Sequence, residues 1–139
     1  RNPYGIAKNF LRQAMFDFAS VTPELNLQWL RFYYITGDDR FSNSIFTKIL
    51  KAEDEGQEFF PLNSGEMLYD FIGIEELSAQ IEERISSKQS GIFNCCSGKP
   101  KSLRTAVEEF IAVHNLKIKP KYNVFPSRPY DSMAVWGKK

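Results

Sequence analysis

The sequence lacks an excess of either charge. Its 18 lysines and arginines are balanced by 17 aspartates and glutamates, which leaves a formal net charge of +1. A protein that binds nucleic acid through the phosphate backbone needs a concentrated basic surface, so we expect no nucleic-acid partner. The basic residues are dispersed except for Lys117, Lys119 and Lys121, whose alternation is typical of the exposed face of a strand.

Long apolar runs and spaced cysteines are also missing. No segment approaches the roughly 18 apolar residues that a membrane-spanning helix needs, and the first residues do not have the pattern of a signal peptide. The two cysteines, Cys95 and Cys96, are adjacent, which suits neither an unstrained disulfide nor a zinc site. We therefore expect a cytoplasmic protein with reduced, buried thiols, no bound metal and no contact with a membrane.

What the chain does have is enough apolar residues for one core. It contains 139 residues, of which 42% are hydrophobic. Apolar spacing and capping residues predict helices over 3–19 and 43–54, one with Glu75 and Glu76 in its first turn, and one that begins after Ser102. We expect Asn2 to cap the first helix, and Ser42 or Asn43 to cap the second.

Strands are predicted between these helices. Their ranges are 25–35, 67–74, 91–96 and 116–125, and 59–62 is either a short strand or an extended loop. The first range ends in a nearly continuous run of apolar and aromatic residues, which favours a strand buried on both faces, as in a parallel sheet. Strands that alternate with helices over short connections predict a mixed α/β fold.

The first predicted helix carries a tyrosine and a lysine one turn apart. A spacing of four residues places Tyr4 and Lys8 on the same face of a helix. An ammonium beside a phenol favours the phenolate and so lowers the tyrosine pKa, which is about 10 in water. Such a tyrosine can exchange a proton with a sugar hydroxyl near neutral pH. Chance also produces this spacing readily among six tyrosines, so the pair needs further context.

Five short segments supply that context by their pattern and order. They are Tyr4-x-x-x-Lys8, Arg31-x-x-Tyr34-x-Thr36-Gly37, Tyr69-Asp70-Phe71-Ile72 with Glu75-Glu76-Leu77, the stretch 91–104, and Arg128-x-x-Asp131. On these residues the chain resembles the carboxyl-terminal portion of the NAD-dependent epimerase/dehydratase family. These extended short-chain dehydrogenase/reductases modify nucleotide sugars. The similarity extends over nearly the whole chain.

The resemblance implies a fold, a cofactor and a partner. Residues 1–40 would be the last helix and strand of a Rossmann-type, doubly wound dinucleotide-binding domain, and residues 41–139 a small mixed α/β substrate-binding domain. Tyr4 would be the acid/base at the sugar C4 hydroxyl, and Lys8 would hold the nicotinamide ribose of NAD or NADP. In this family the helix that bears the pair commonly packs in a homodimer, which agrees with the broad apolar arc of helix 3–19.

The resemblance also points to substrate-binding positions, where this sequence departs from the family. Arg128 would bind the substrate diphosphate, whereas without the family a solvated surface arginine is the simpler interpretation. Tyr34 stands where the family has an asparagine, and Tyr69 where it has an arginine. Tyr69 cannot pair with a phosphate, but it can stack on a base or form a hydrogen bond. A changed role and a loss of function both remain open, as do the nucleotide and the sugar.

The glycine-rich turn that binds a dinucleotide pyrophosphate is not found among the eight glycines of this chain. We therefore expect a piece of a longer NAD(P)-dependent enzyme that oxidises a nucleotide sugar at C4, and no catalysis by the piece itself. A 4-epimerase, a 4,6-dehydratase and a 4-keto reductase share the motifs found. The alternative is a catalytically silent module that binds nucleotide sugars or only dimerises. Uncovered apolar surface predicts an oligomer and poor solubility as a monomer.

Overall fold

The computed structural model describes residues 2–37, 41–126 and 132–138. The helices are α1 (Pro3–Ser20), α2 (Ile45–Asp54), α3 (Ile74–Ser87) and α4 (Leu103–Val113). The first six strands are β1 (Gln28–Phe32), β2 (Tyr34–Thr36), β3 (Phe59–Pro61), β4 (Leu68–Tyr69), β5 (Phe71–Gly73) and β6 (Gly91–Cys95). They are followed by β7 (Lys101–Ser102), β8 (Lys119–Lys121) and β9 (Ala134–Val135).

Side-chain caps explain where three of the helices begin. Asn2 caps α1 and Ser102 caps α4, as predicted, each accepting a hydrogen bond from a backbone N–H of the first turn. The cap of α2 is Ser44, whose Oγ accepts from the Thr47 N–H at 3.1 Å. The predicted cap at Ser42 or Asn43 is wrong, because the Ser42 Oγ instead accepts from the Ser44 N–H and α2 starts one residue after Ser44.

Parallel strand pairs dominate the topology. β1 pairs with β6, β2 with β5, and β3 with β8, all in parallel. A three-stranded sheet has the order β7-β4-β9, with an antiparallel and a parallel pairing. The predicted mixed α/β fold is confirmed. Because β1 and β2 pair with β6 and β5, strand pairing joins the two sides of residue 40.

Several predicted strands are shorter than their apolar runs. The run 25–35 contains β1 and, after Tyr33, the start of β2, whereas 67–74 is divided at Asp70 into β4 and β5. Only Lys119–Lys121 of the predicted strand 116–125 is a strand. The predicted burial of 25–35 on both faces is wrong in this chain, because Phe32, Tyr34 and Ile35 are each at least 41% exposed.

Two clusters of buried apolar residues hold the helices and strands together in the described part of the chain. The larger one lies between α2, α4, β3 and β8, and its buried members are Ile49, Ala52, Leu62, Val107 and Ile118. The smaller one joins β5, α3 and β6 through Ile72, Leu77 and Cys95, and Leu30 of β1 packs against it. Both cysteines are buried, as predicted, and neither forms a disulfide. Among the described residues, no helix is long and apolar enough to span a membrane.

Candidate functional site

The first turns of α1 hold the tyrosine and the lysine. Asn2 Oδ1 accepts a hydrogen bond from the Tyr4 N–H at 3.0 Å, and Pro3 occupies the first helical position, where its missing N–H costs nothing. The Lys8 ammonium lies 5.6 Å from the centroid of the Tyr4 ring. This distance is within the range of a cation–π contact, so the two side chains share one face of the helix.

This pair borders a cleft between α1 and β1, which we call the α1 cleft. Its volume is about 520 Å³, and it is lined by Tyr4, Lys8, Gln28, Trp29, Leu30, Arg31 and Phe32. Gln28 is held in place because its amide donates to the Arg84 carbonyl at 2.6 Å. Tyr4 is 68% exposed, so a ligand in the cleft has access to the tyrosine side chain.

The polar groups of the α1 cleft suit a ligand rich in hydroxyl groups. A lysine ammonium offers three hydrogen-bond donors, and a phenol can both donate and accept. Ribose and hexose hydroxyls need partners of this kind. The residues present therefore fit the ribose end of a dinucleotide and a sugar hydroxyl beside it.

Tyr34 and Tyr69, the other two predicted site residues that the structure describes, lie together in a second cavity, which we call the aromatic pocket. Its volume is about 460 Å³, and it is lined by Tyr33, Tyr34, Ile35, Ser44, Ile45, Phe46, Tyr69, Phe71 and Leu103. The rings of Tyr34 and Tyr69 are 4.5 Å apart, edge to face. The centroid of the Phe71 ring lies 5.9 Å from that of Tyr34 and 6.0 Å from that of Tyr69. Tyr34, Tyr69 and Phe71 thus form a three-ring wall of the pocket.

Strand pairing explains why the two tyrosines meet. Tyr34 begins β2, and its register partner in β5 is Phe71, two residues after Tyr69. The Tyr34 N–H also donates to the Asp70 carbonyl at 3.1 Å, which fixes the start of β2 beside the junction of β4 and β5. Residues that are 35 positions apart in the sequence thus share one wall.

A third cavity adjoins the aromatic pocket, because Ile45, Tyr69 and Leu103 line both. It has a volume of about 460 Å³ and includes Lys48 and Asn63 among its polar residues. Its remaining lining residues are Phe60, Pro61, Leu62, Met67, Phe125 and Pro126. Its lining thus combines apolar side chains with polar groups that a small organic ligand can bind.

The structure thus places the sequence-predicted residues in two groups. Tyr4 and Lys8 line the α1 cleft, and Tyr34 and Tyr69 line the aromatic pocket. Arg128, the predicted diphosphate ligand, lies outside the described residues, as does Asp131. Within the described ranges, no group of three or more histidine, cysteine, aspartate or glutamate side chains could hold a metal ion.

Asp70, for which no role was predicted, is fully buried in the structure. A charged residue inside the apolar run 67–74 was the available signal, since buried aspartates are rare unless they have partners. Its carboxylate accepts hydrogen bonds from Ser97, Gly98 and Gly137. Its two neighbours in the sequence, Tyr69 and Phe71, both line the aromatic pocket.

Comparisons with known proteins add a second line of evidence. No family model matches the chain. A curated relative, the dTDP-6-deoxy-L-talose 4-dehydrogenase (NAD(+)) of Aggregatibacter actinomycetemcomitans, is 89% identical over all 139 residues. These residues correspond to 52% of the relative, so the chain spans about half the length of the curated relative it matches.

Solved structures show the same fold. The UDP-N-acetylglucosamine 4-epimerase of Methanobrevibacter ruminantium, in complex with UDP-N-acetylmuramic acid, matches with a TM-score of 0.82 and 23% identity. The match covers 99% of this chain and 44% of that one. The UDP-glucose 4-epimerase of Stenotrophomonas maltophila, with bound NAD and formylated UDP-arabinopyranose, matches with a TM-score of 0.77 and 15% identity, covering 96% of this chain and 46% of that one.

Proposed function

This chain is related to the NAD-dependent epimerases and dehydratases of nucleotide sugars, and from that premise we propose that it is the carboxyl-terminal half of an NAD-dependent sugar-nucleotide 4-dehydrogenase. The substrate would be dTDP-6-deoxy-L-talose or a close analogue, oxidised at C4 to the 4-keto sugar. The predicted family resemblance, based on five motifs, is itself confirmed. The activity, the substrate and the roles of individual residues are the proposal.

One observation favours a 4-dehydrogenase over the 4-epimerase and the 4,6-dehydratase that share these motifs. The relative that is 89% identical across the whole chain is a 4-dehydrogenase, not an epimerase or a dehydratase. At this identity, about nine in ten positions of the chain are the same in the two proteins. A reversible 4-dehydrogenase corresponds to the 4-keto reductase among the three predicted reaction types.

In the proposed reaction, Tyr4 removes the proton of the C4 hydroxyl as the C4–H bond breaks. The Lys8 ammonium, on the same helix face, stabilises the phenolate that accepts this proton. NAD, when bound, supplies the hydride acceptor. Lys8 also suits the ribose hydroxyls of the cofactor, since it offers donors on the same side of the α1 cleft as Tyr4.

The remaining predicted positions take supporting roles in the proposal. Tyr34 and Tyr69 contact the nucleotide sugar through the aromatic pocket, and Arg128 binds the diphosphate, as the resemblance implies. Residues 1–40 complete the dinucleotide-binding domain, and residues 41–139 form the substrate-binding domain. We further propose a cytoplasmic homodimer joined through α1, whose exposed apolar side chains support this arrangement.

The test is turnover by the complete protein with NAD. We expect dTDP-6-deoxy-L-talose to produce NADH and a 4-keto sugar, and UDP-glucose and UDP-galactose to produce no net NADH. Conversion of UDP-glucose to UDP-galactose without NADH release would show a 4-epimerase instead. Binding of the nucleotide sugar without any turnover would favour the catalytically silent module.

A further inference from the structure

Asp70 is the one charged side chain that is fully buried in the described part of the chain. It lies between β4 and β5, where the predicted single strand is interrupted. Burial of a carboxylate without partners is very unfavourable, so its surroundings must compensate. The partners of Asp70 lie in two separate segments of the chain.

Each carboxylate oxygen of Asp70 accepts two hydrogen bonds. Oδ1 accepts from the backbone N–H of Ser97 at 2.7 Å and from the Ser97 hydroxyl at 2.6 Å. Oδ2 accepts from the N–H of Gly98 at 3.0 Å and from the N–H of Gly137 at 3.2 Å. One side chain thus joins the turn after β6 to the segment 132–138, which we call the tail. An ionised carboxylate can serve all four donors, whereas an amide cannot.

The backbone of Asp70 extends the same connection. Its N–H donates to the Val135 carbonyl of the tail at 3.1 Å, and its carbonyl accepts from the Tyr34 N–H at 3.1 Å. Asp70 therefore touches the tail through both its side chain and its backbone. It also fixes the start of β2, which carries one of the rings of the aromatic pocket.

The tail in turn lies close to Tyr33, which lines the aromatic pocket. A Cβ atom added to Gly137 would lie 2.7 Å from the Tyr33 ring and 2.7 Å from the Cys96 sulfur, distances at which atoms overlap. The backbone at Gly137 is thus pressed between the turn after β6 and Tyr33. Since Tyr33 lines the aromatic pocket, the tail packs against a residue of the pocket lining.

We propose that Asp70 is a positioning residue that clamps the tail and the Ser97–Gly98 turn together, and that this clamp holds Tyr33 and Tyr34 in the geometry that binds substrate. The effect on substrate rests on the proposed function. The clamp itself does not, and it can be tested without any ligand.

Asp70→Asn is the direct test, because it preserves the shape and removes acceptor capacity. Asp54→Asn, at an exposed acid in α2, is the matched control. We expect the amides of Gly98 and Gly137 to lose at least about tenfold of their protection from hydrogen exchange in the first variant only. Core amides such as that of Val107 should keep their protection, which shows that the variant folds. Unchanged protection of the tail would overturn the clamp.

Acid titration tests whether the charge of Asp70 holds the clamp together. Burial alone would raise the pKa of Asp70, but the hydrogen bonds from Ser97, Gly137 and Gly98 outweigh it and hold the pKa below the ordinary value of 3.8. The stabilisation by the carboxylate is therefore present above pH 3.8 and is lost as the pH falls through the lower folded-state pKa. Wild type and Asp70→Asn should converge in tail protection at that point.

The groups around the carboxylate make this titration interpretable. Its direct partners are a hydroxyl and backbone N–H groups, which do not titrate in acid. The charged residues nearest in sequence to the clamped amides are Lys99, which follows Gly98, and Lys138, which follows Gly137, and neither carries a carboxylate. A difference between wild type and variant that persists unchanged in acid would contradict the assignment to the Asp70 charge.

Gly137→Ala provides a second lesion that leaves the carboxylate in place. Its Cβ would push the tail away from Tyr33, so we expect the same loss of protection from hydrogen exchange in the tail. This variant replaces Asp70→Asn if that one does not fold. Retained protection of the tail in Gly137→Ala would overturn the packing on which the proposal depends.

The final readout is the affinity of the complete protein for dTDP-6-deoxy-L-talose. We expect Asp70→Asn to raise the Kd of the nucleotide sugar about tenfold and to leave the Kd of NAD unchanged. A loosened tail with an unchanged Kd would overturn the positioning role and leave only a structural clamp. If the wild type binds no nucleotide sugar, the proposed function fails, while hydrogen exchange still decides the clamp.

Discussion

Helices α1 and α4 begin in the same way, with a polar side chain that caps the first turn, but they differ in what covers their apolar faces. Ala106 and Val107 of α4 are buried in the larger core cluster, and Phe110 packs against it. No residue of α1 is buried, although the helix is longer by seven residues. Exposed apolar side chains of α1 include Ile6, Phe10, Leu11, Met15 and Phe18.

The difference shows that capping and spacing are enough to define a helix but not to fix its position. Packing of an amphipathic face supplies most helical stability in proteins, yet the described residues of this chain bury no side chain of α1. Tyr4 and Lys8 lie on this helix, whereas Tyr34 and Tyr69 lie on elements tied to the core. The proposed acid/base pair and the aromatic pocket thus lie in different parts of the molecule.

The largest expected effect on stability comes from shortening an isoleucine to alanine in a packed helix and in the exposed helix α1. Ile49→Ala in α2 removes a fully buried side chain and should lower the free energy of unfolding by about 2–5 kcal/mol. Ile6→Ala in α1, where the side chain is 43% exposed, should change it by less than about 1 kcal/mol. Urea unfolding of this chain at low concentration measures both.

A cost for Ile6→Ala as large as that for Ile49→Ala would show that α1 is packed within the chain. In that case the contrast between the two helices would be wrong. A cost that grows with protein concentration would instead indicate that Ile6 is covered by a second copy.

The next test breaks the proposed interface directly. Phe10→Glu introduces a charge on the apolar face of α1, where Phe10 is 67% exposed, and should shift an oligomer toward monomers in sedimentation. Phe41→Glu is the control, because Phe41 is 90% exposed outside the helices. Equal sedimentation of wild type and Phe10→Glu would exclude this face as the interface, and a shift in both variants would point to a general effect of the added charge.

The smallest effect is expected where a polar contact reinforces the packed region. The Tyr122 hydroxyl donates to Glu108 at 3.0 Å, and the Arg104 guanidinium lies 3.9 Å from its ring. Burial and the neighbouring Glu108 raise the pKa of Tyr122 to about 12, while Arg104 opposes the shift. Tyr122→Phe should cost about 1 kcal/mol of stability at neutral pH.

The sign of its pH dependence follows from the raised pKa. The stabilisation by the neutral phenol is fully present below about pH 10 and is lost as the pH rises through the folded-state value. The tyrosinate absorbance of wild type minus that of Tyr122→Phe should therefore show a step near pH 12. A step near pH 10 would mean that Tyr122 is not held by Glu108.

Local sequence patterns predicted much of the fold because local interactions define many of its elements. Asn2 and Ser102 were identifiable as caps, and Glu75 and Glu76 do lie in the first turn of α3. The cap of α2 was missed because three neighbouring residues can each serve, and only the local backbone selects Ser44. The interruption of the run 67–74 depends on partners of Asp70 that are distant in sequence, so its local signal was limited to the charged residue inside the run.

The site was less predictable for the same reason. The spacing of Tyr4 and Lys8 is a property of one helix and could be read directly from the sequence. The contact of Tyr34 with Tyr69 depends on the pairing of β2 with β5, which a sequence pattern does not specify. The family resemblance named both residues, but only the structure shows that they form one wall.

The most direct test of the account is the turnover of Tyr4→Phe in the complete protein, with NAD and dTDP-6-deoxy-L-talose both saturating. Phenylalanine keeps the ring beside Lys8 and removes only the group that accepts the proton. The account predicts that kcat falls about 10²–10⁴-fold while the affinities for NAD and the nucleotide sugar change little. A variant that turns over like the wild type would show that Tyr4 is not the acid/base.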